Sequence, residues 1–168
     1  MLESTQTGMI RKPKVAEVAA VKALIDEAAG VGSVLPRTVA EMYECARDFH
    51  VYIDGSGVGG CCALHIDLPD LAEVRSLVVR GDLRGQGVAV DLLKACLSEA
   101  EELGIARVYA LTRVPGLFKK LGFHEIDKRE LPHKVFKDCV RCHLFPSCDE
   151  IAVIRAVALD GVDALEAG

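Results

Sequence analysis

No apolar run in this chain approaches the roughly 18 to 20 residues that a membrane-spanning helix needs, although 51% of its 168 residues are hydrophobic. The apolar content lies in short stretches, so no membrane partner is expected. The start of the chain carries Glu3 among polar neighbours and lacks the basic and then apolar layout of a secretory leader, which makes the cytoplasm the expected location. A surplus of positive charge is missing too: 20 Lys and Arg stand against 25 Asp and Glu, a net charge of -5. Nucleic-acid phosphates are held by clustered cations, so no nucleic acid is expected as a partner and a small-molecule substrate is. Repeats, low-complexity tracts and internal linkers are also absent. What remains is one domain long enough to bury a core, expected over residues 10–158, with flexible tails at 1–9 and 159–168.

The cysteines number 7, an odd count. Cys45, Cys61, Cys62 and Cys96 fall in apolar periodic runs, where a thiol behaves as a small hydrophobe, and all four are expected in the core. Val15, Val18, Ala19, Leu24, Ile25 and Ala28 follow a helical period, predicting a helix over 15–29 that Gly30 stops. Thr38 is the expected N-cap of a second helix through Glu41, Met42 and Cys45. Strands are expected at 49–53 and 58–66 around the turn Asp54-Gly55-Ser56-Gly57, and again at 73–80 and 107–112. A helix over 88–103 ends at Gly104 and a short one over 115–121 closes at Gly122, after which 123–127 pairs with 151–156. This order is a mixed α/β layout. An exposed last strand offers an edge for a second copy, so a homodimer is one expected assembly.

The strand at 73–80 runs into Arg84-Gly85-Gln86-Gly87-Val88-Ala89. Without side chains at Gly85 and Gly87 the backbone approaches an anion closely, and the unpaired N–H groups of the next helix face its oxygens. This pattern points to a phosphate-bearing cofactor. The dinucleotide fingerprint needs three glycines and a distant acid, and the Walker loop needs a Lys-Ser/Thr pair; neither is present. Leu77 and Val79 at the strand end, followed by Arg84, Gly87 and Ala89, are similar to the acetyl-CoA loop of the GNAT N-acetyltransferases. Leu117-Phe118-Lys119-Lys120-Leu121-Gly122-Phe123 resembles that family's fourth helix and the turn after it. The resemblance covers about residues 10–157. It implies an α/β fold with a mixed central sheet that splays after its fourth strand and is flanked by helices. It also implies acetyl-CoA as donor, held by Leu77, Val78, Val79, Arg84, Gly85, Gln86, Gly87, Val88, Ala89, Phe118 and Lys120, with direct attack by the acceptor amine in a ternary complex.

Acetyl transfer to an amine needs the amine positioned, its proton removed and the oxyanion stabilised. Glu73, at the start of the strand that presents the acetyl group, is the expected base, and the resemblance makes the Val79 N–H the oxyanion donor. Many relatives have a tyrosine acid where this chain has Phe118; Phe118 cannot donate a proton and reads as core packing, so either the thiolate leaves unassisted or Cys148 or Tyr109 helps. Leu35-Pro36-Arg37-Thr38, Ala72-Glu73-Val74-Arg75-Ser76-Leu77, Ala110-Leu111-Thr112-Arg113 and Leu131-Pro132-His133-Lys134 resemble stretches of the N-acetylglutamate synthases that lack a kinase domain. That implies the α-amine of L-glutamate as acceptor, with L-glutamine as a near substrate, in arginine biosynthesis. A dicarboxylate calls for cations, and the Arg fork matches a carboxylate. Arg37, Arg75, Ser76, Thr112, Arg113 and Lys134 are the candidate substrate residues. Two other readings stand beside this one: a GNAT enzyme for another amine, such as a polyamine, an antibiotic or a protein N-terminus, or a non-catalytic acetyl-CoA sensor. Finally, Cys139, Cys142, His143 and Cys148 are soft donors close in sequence. Zinc knuckles usually separate their ligand pairs by a longer loop, so reduced structural thiols without a metal are expected there.

Overall fold

The computed structural model describes residues 8–131 and 149–157. Its strands are β1 (Met9–Arg11), β2 (Phe49–Asp54), β3 (Gly57–Leu68), β4 (Leu71–Val79), β5 (Arg107–Thr112), β6 (His124–Ile126) and β7 (Ile151–Ala156). Its helices are α1 (Val18–Gly30), α2 (Val39–Glu44), α3 (Val88–Glu102) and α4 (Pro115–Lys119). The strands form one mixed sheet in the order β1-β2-β3-β4-β5-β7-β6. Strand β1 begins inside the stretch read as a tail, with Met9 opposite Ile53. The last strand is no edge: β7 lies between β5 and β6, so the edge expected to pair with a second copy is covered. Among the described residues, no helix is long and apolar enough to cross a membrane.

The two faces of the sheet are covered by different helices, and strand alternation sorts the side chains between them. On one face α3 buries Val88, Leu92, Leu93, Cys96 and Ala100, spaced to fall on one side of a helix, against Cys62, Leu64, Ala72, Val74 and Val108. On the other face Val18, Val21, Leu24, Ile25 and Ala28 of α1, with Met42 of α2, cover Phe49, Val51, Cys61, Ala63 and Val78. Each fully buried Leu or Ile contributes roughly 1.5–3 kcal/mol relative to exposure, so both helices are fixed mainly by these stripes. Cys61, Cys62 and Cys96 are wholly buried, as expected; burial pushes the Cys61 thiol up to about 12. Cys45 departs from expectation. Helix α2 ends at Glu44, one residue earlier, and leaves Cys45 half-buried at its C-cap.

Strand β4 is where the two faces meet a discontinuity. Against β3 its register runs Glu73 with His65 and Arg75 with Ala63, then resumes at Val78 with Cys61, so β4 carries one extra residue between Arg75 and Val78. Ser76 sits in that bulge with φ 55°, the one positive φ at a non-glycine position among the described residues. The bulge inverts the alternation: Glu73 and Arg75 lie on the α1–α2 side, whereas Leu77 and Val79 pack against the α3 cluster. On its other edge β4 pairs in parallel with β5 only from Leu71–Arg107 to Glu73–Tyr109. Beyond Glu73 the two strands part, and a wedge opens beside Ser76–Val79.

Candidate active site

The loop at the top of the wedge is held by Arg80. Its guanidinium bonds Asp54 of the β2–β3 hairpin at 2.7 Å and Asp82 at 2.6 Å. The hydrogen bonds from Arg80 keep both carboxyls below the ordinary range, and they hold the Arg80 proton more tightly in return. The Gln86 side chain donates to the Asp82 carbonyl at 2.9 Å. Gly85 and Gly87 have φ of 76° and 82°, and a Cβ at either would meet no atom within 4 Å. Glycine is therefore required by conformation, and the space above the loop is open. Gly87 is the N-cap of α3, and the first helical bond runs from Asp91 N to Gly87 O. The amides of Gly85 to Val90 make no hydrogen bond to other described residues. An open loop with a row of unbonded N–H groups at the start of a long helix fits a pyrophosphate.

Below the loop, the Arg80 amide donates to Gly59 O at 2.8 Å. Backbone groups alternate between the two edges of a strand, so the N–H and C=O of Val79 point away from β3 and into the wedge. This edge offers hydrogen bonds to an extended ligand and an N–H to a developing oxyanion.

On the α1–α2 side lies a cleft of about 230 Å³ lined by Arg37, Glu41, Met42, Cys45, Phe49, Ala63, His65 and Arg75. Two substrate candidates from distant parts of the chain, Arg37 and Arg75, thus share one cavity. Arg37 is delivered by the N-terminus of α2, where the Thr38 side chain accepts from Glu41 N at 3.2 Å and the Glu41 carboxylate accepts from Thr38 N at 2.8 Å. That capping role takes one Glu41 oxygen away from the cleft. Arg75 lies two residues beyond the last β4–β5 pair. Its guanidinium is 3.9 Å from the carboxylate of Glu73, which is only 3% exposed. His65 hydrogen-bonds Asp48 through Nδ1 at 2.8 Å.

The remaining candidates are placed elsewhere. The Thr112 hydroxyl accepts from Val114 N at 2.9 Å and shapes the turn into α4. Ser76 supplies the bulge. Arg113 is a tie: it donates to Gly32 O at 2.6 Å and to Asp149 at 2.8 Å, joining the loop after α1 to the approach to β7. Phe118 is 3% exposed and meets Phe123 edge-on with ring centroids 5.2 Å apart. This is the core packing read from the sequence, and it leaves little of the ring for a donor to touch. Tyr109 is buried and gives its hydroxyl to Asp67, which leaves it unsuited to protonating a leaving group. Lys120 is exposed at the end of α4. Lys134, Cys139, Cys142, His143 and Cys148 lie outside the described residues. Sequence reasoning missed His65, Asp48 and Arg80. The one signal for His65 is its place two residues past Ala63 on the same face of β3.

Comparison with known proteins agrees with this geometry. The profile of the acetyltransferase (GNAT) family matches residues 19–123. An uncharacterized N-acetyltransferase of Chlorobaculum tepidum is 34% identical over 148 residues, 88% of this chain and 96% of its own length. The amino-acid acetyltransferase of Mycobacterium tuberculosis is 31% identical over 138 residues, 80% of this chain and 79% of that protein. Among solved structures, the N-acetylglutamate synthase of Neisseria gonorrhoeae, complexed with coenzyme A and N-acetyl-glutamate, superposes on 90% of this chain with a TM-score of 0.81 at 23% identity. This chain spans 35% of that synthase, and the likeness speaks to fold alone. A Mycobacterium tuberculosis protein solved in complex with CoA superposes over 89% of this chain and 99% of its own with a TM-score of 0.78 at 25% identity.

Proposed function

Because the chain belongs to the acetyltransferase (GNAT) family, whose donor is acetyl-CoA, we propose that it acetylates the α-amine of an acidic amino acid. L-Glutamate is the preferred acceptor, L-glutamine the near one, and the product feeds arginine biosynthesis in the cytoplasm. The observation that carries this reading is the shared cleft of Arg37 and Arg75 beside the open edge of β4. A cationic acceptor would call for a cleft edged by free carboxylates, whereas Glu41 is engaged in capping and Asp48 is bonded to His65. The name of the mycobacterial relative supports an amino acid as acceptor.

In this mechanism the donor supplies a thioester carbonyl, with its pyrophosphate on the amides of Gly85 to Val90 and its arm along the free edge of β4. Arg37 and Arg75 hold the acceptor's carboxylates, which fixes its amine near the end of the β4–β5 pairing. Glu73 takes the ammonium proton, directly or through a water. The Val79 N–H steadies the oxyanion. Tyr109 is bonded to Asp67 and Phe118 has no proton to give, so the thiolate leaves unassisted or is met by Cys148, which lies outside the described residues.

The test is a steady-state assay of CoA release with L-glutamate, L-glutamine and spermidine. Turnover with the two amino acids and none with spermidine is the expected result. The reverse preference identifies an enzyme for another amine, and binding of acetyl-CoA without turnover identifies a sensor. A ping-pong pattern with an acetylated cysteine would end the ternary-complex mechanism.

A further inference from the structure

Opposite Glu73 across the β3–β4 ladder stands His65, and we propose that His65, oriented by Asp48, carries the proton from Glu73 to solvent in each turnover. The proposal rests on the reading of Glu73 as the proton acceptor. Glu73 is 3% exposed, so a proton placed on it has little direct contact with water. The His65 side chain is 22% exposed and the residue lines the cleft. Residues in register on antiparallel strands have Cβ atoms about 5 Å apart, so the two side chains start as neighbours on one face of the ladder, and the transfer proposed between them runs through water.

The hydrogen bonding of His65 defines the free end of the ring. Nδ1 is 2.8 Å from Asp48 Oδ2, and Nε2 makes no hydrogen bond to another described residue. Asp48 therefore holds the proton on Nδ1 and leaves Nε2 as the accepting nitrogen. The charged and titratable groups around the ring are Glu73 and Arg75 from β4, Asp48 from the turn before β2, Cys45 from the end of α2, and Arg37 and Glu41 across the cleft. The Cys45, Asp48 and His65 donor atoms lie within 4.8 Å of one another. The 2.8 Å contact is nonetheless a hydrogen bond, since two ligands of one tetrahedral zinc stand roughly 3.4 Å apart.

Two protons leave the nitrogen in each turnover: the second, shed as the C–S bond breaks, ends on the released CoA sulfur as CoA–SH, and the first follows the relay. The ammonium N–H bond breaks and its proton binds a Glu73 oxygen, leaving the nitrogen lone pair for attack. The Glu73 O–H then gives the proton through water to His65 Nε2, and the carboxylate is restored. The imidazolium, with Nδ1–H still on Asp48, releases the proton from Nε2 to bulk water.

Full-length His65→Ala and His65→Gln, assayed with acetyl-CoA and L-glutamate, test the relay. In both variants kcat is expected to fall roughly ten- to hundredfold, with glutamate KM and donor affinity changed by no more than about twofold. Added imidazole buffer restores most of kcat in His65→Ala. Asp48→Asn gives a smaller fall and displaces the pH profile of kcat. Unchanged kcat in His65→Ala overturns the proposal, as does a loss that imidazole leaves untouched or one that appears in glutamate KM alone. If the wild-type chain acetylates neither amino acid, the acceptor assignment falls and takes the relay with it. If the wild type is active and the His65 variants fail these tests, only the relay falls.

Discussion

The two sides of β4 are built from different materials. Toward α3 and the wedge, the site is backbone: amides of Gly85 to Val90, the free edge at Val79, and glycines set by their φ angles. Toward α1 and α2 it is side chains: Arg37, Arg75, Glu73 and the His65–Asp48 pair, drawn from α2, β3, β4 and the turns between them. A ligand held by backbone is insensitive to most substitutions and sensitive to a few glycines. A ligand held by charged side chains can be changed one residue at a time. On the proposed function, this contrast makes the donor end general and gives the acceptor end the choice of substrate.

Glu73→Gln tests the contrast most severely. It is expected to lower kcat roughly a hundredfold or more while calorimetry finds donor affinity unchanged; weakened donor binding would mean that the two sides are coupled through β4. Arg37→Leu comes next. Loss of a charged hydrogen bond costs about 1.5–3 kcal/mol, so glutamate KM should rise roughly ten- to hundredfold with acetyl-CoA KM unmoved.

Gly87→Val addresses the other side. A β-branched residue at this left-handed φ is strained by about 1–2 kcal/mol, which thermal unfolding should register as a drop of about 2–4 °C per kcal/mol. Its side chain also enters the open space over the loop, so acetyl-CoA KM rises and glutamate KM does not. The smallest effect belongs to neither side. Glu17, bonded first by Arg11 and then by the Lys14 amide, is held down from 4.5 to about 2. A carboxyl with a lowered folded value stabilises the fold above its ordinary value, and that contribution drains away as pH falls from 4.5 toward about 2. Glu17→Gln should therefore cost about 1 kcal/mol at neutral pH, allowing for solvent screening at a partly exposed pair, and should flatten the acid limb of a denaturation series.

The same contrast explains what was legible in the sequence. Thr38 as a cap, Gly85 and Gly87 as a loop and the stripe of α3 are local patterns, and the structure matches each of them; the stripe of α1 holds from Val18 onward, but Val15 lies in a 3-10 turn before the helix and is exposed, Ala19 faces solvent, and the helix runs through Gly30. Strand β1 has three residues, too few to display a period. Cys45 follows the apolar rhythm of α2, yet the helix stops at Glu44 and the thiol faces the cleft. Arg113 has the charge expected of a carboxylate ligand, but charge does not name a partner, and among the described residues it bonds Gly32 and Asp149. His65 and Asp48 are 17 positions apart, and nothing short of the folded β2–β3 corner brings them together. The splay of the sheet was legible only through resemblance to a family, since no single strand encodes where its neighbour turns away.

The extra residue at Ser76 also sets a rule about chain length. Substitution in β4 changes one side chain, whereas loss of Ser76 itself would close the bulge and join the Arg75–Ala63 and Val78–Cys61 pairs into one regular ladder, with the remaining side chains on their present faces. Removal of Val74 instead, absorbed by the same bulge, would bring Arg75 opposite Leu64 and turn it away from its cleft. The surplus residue thus gives β4 one place where its length can change without its faces changing, and only there.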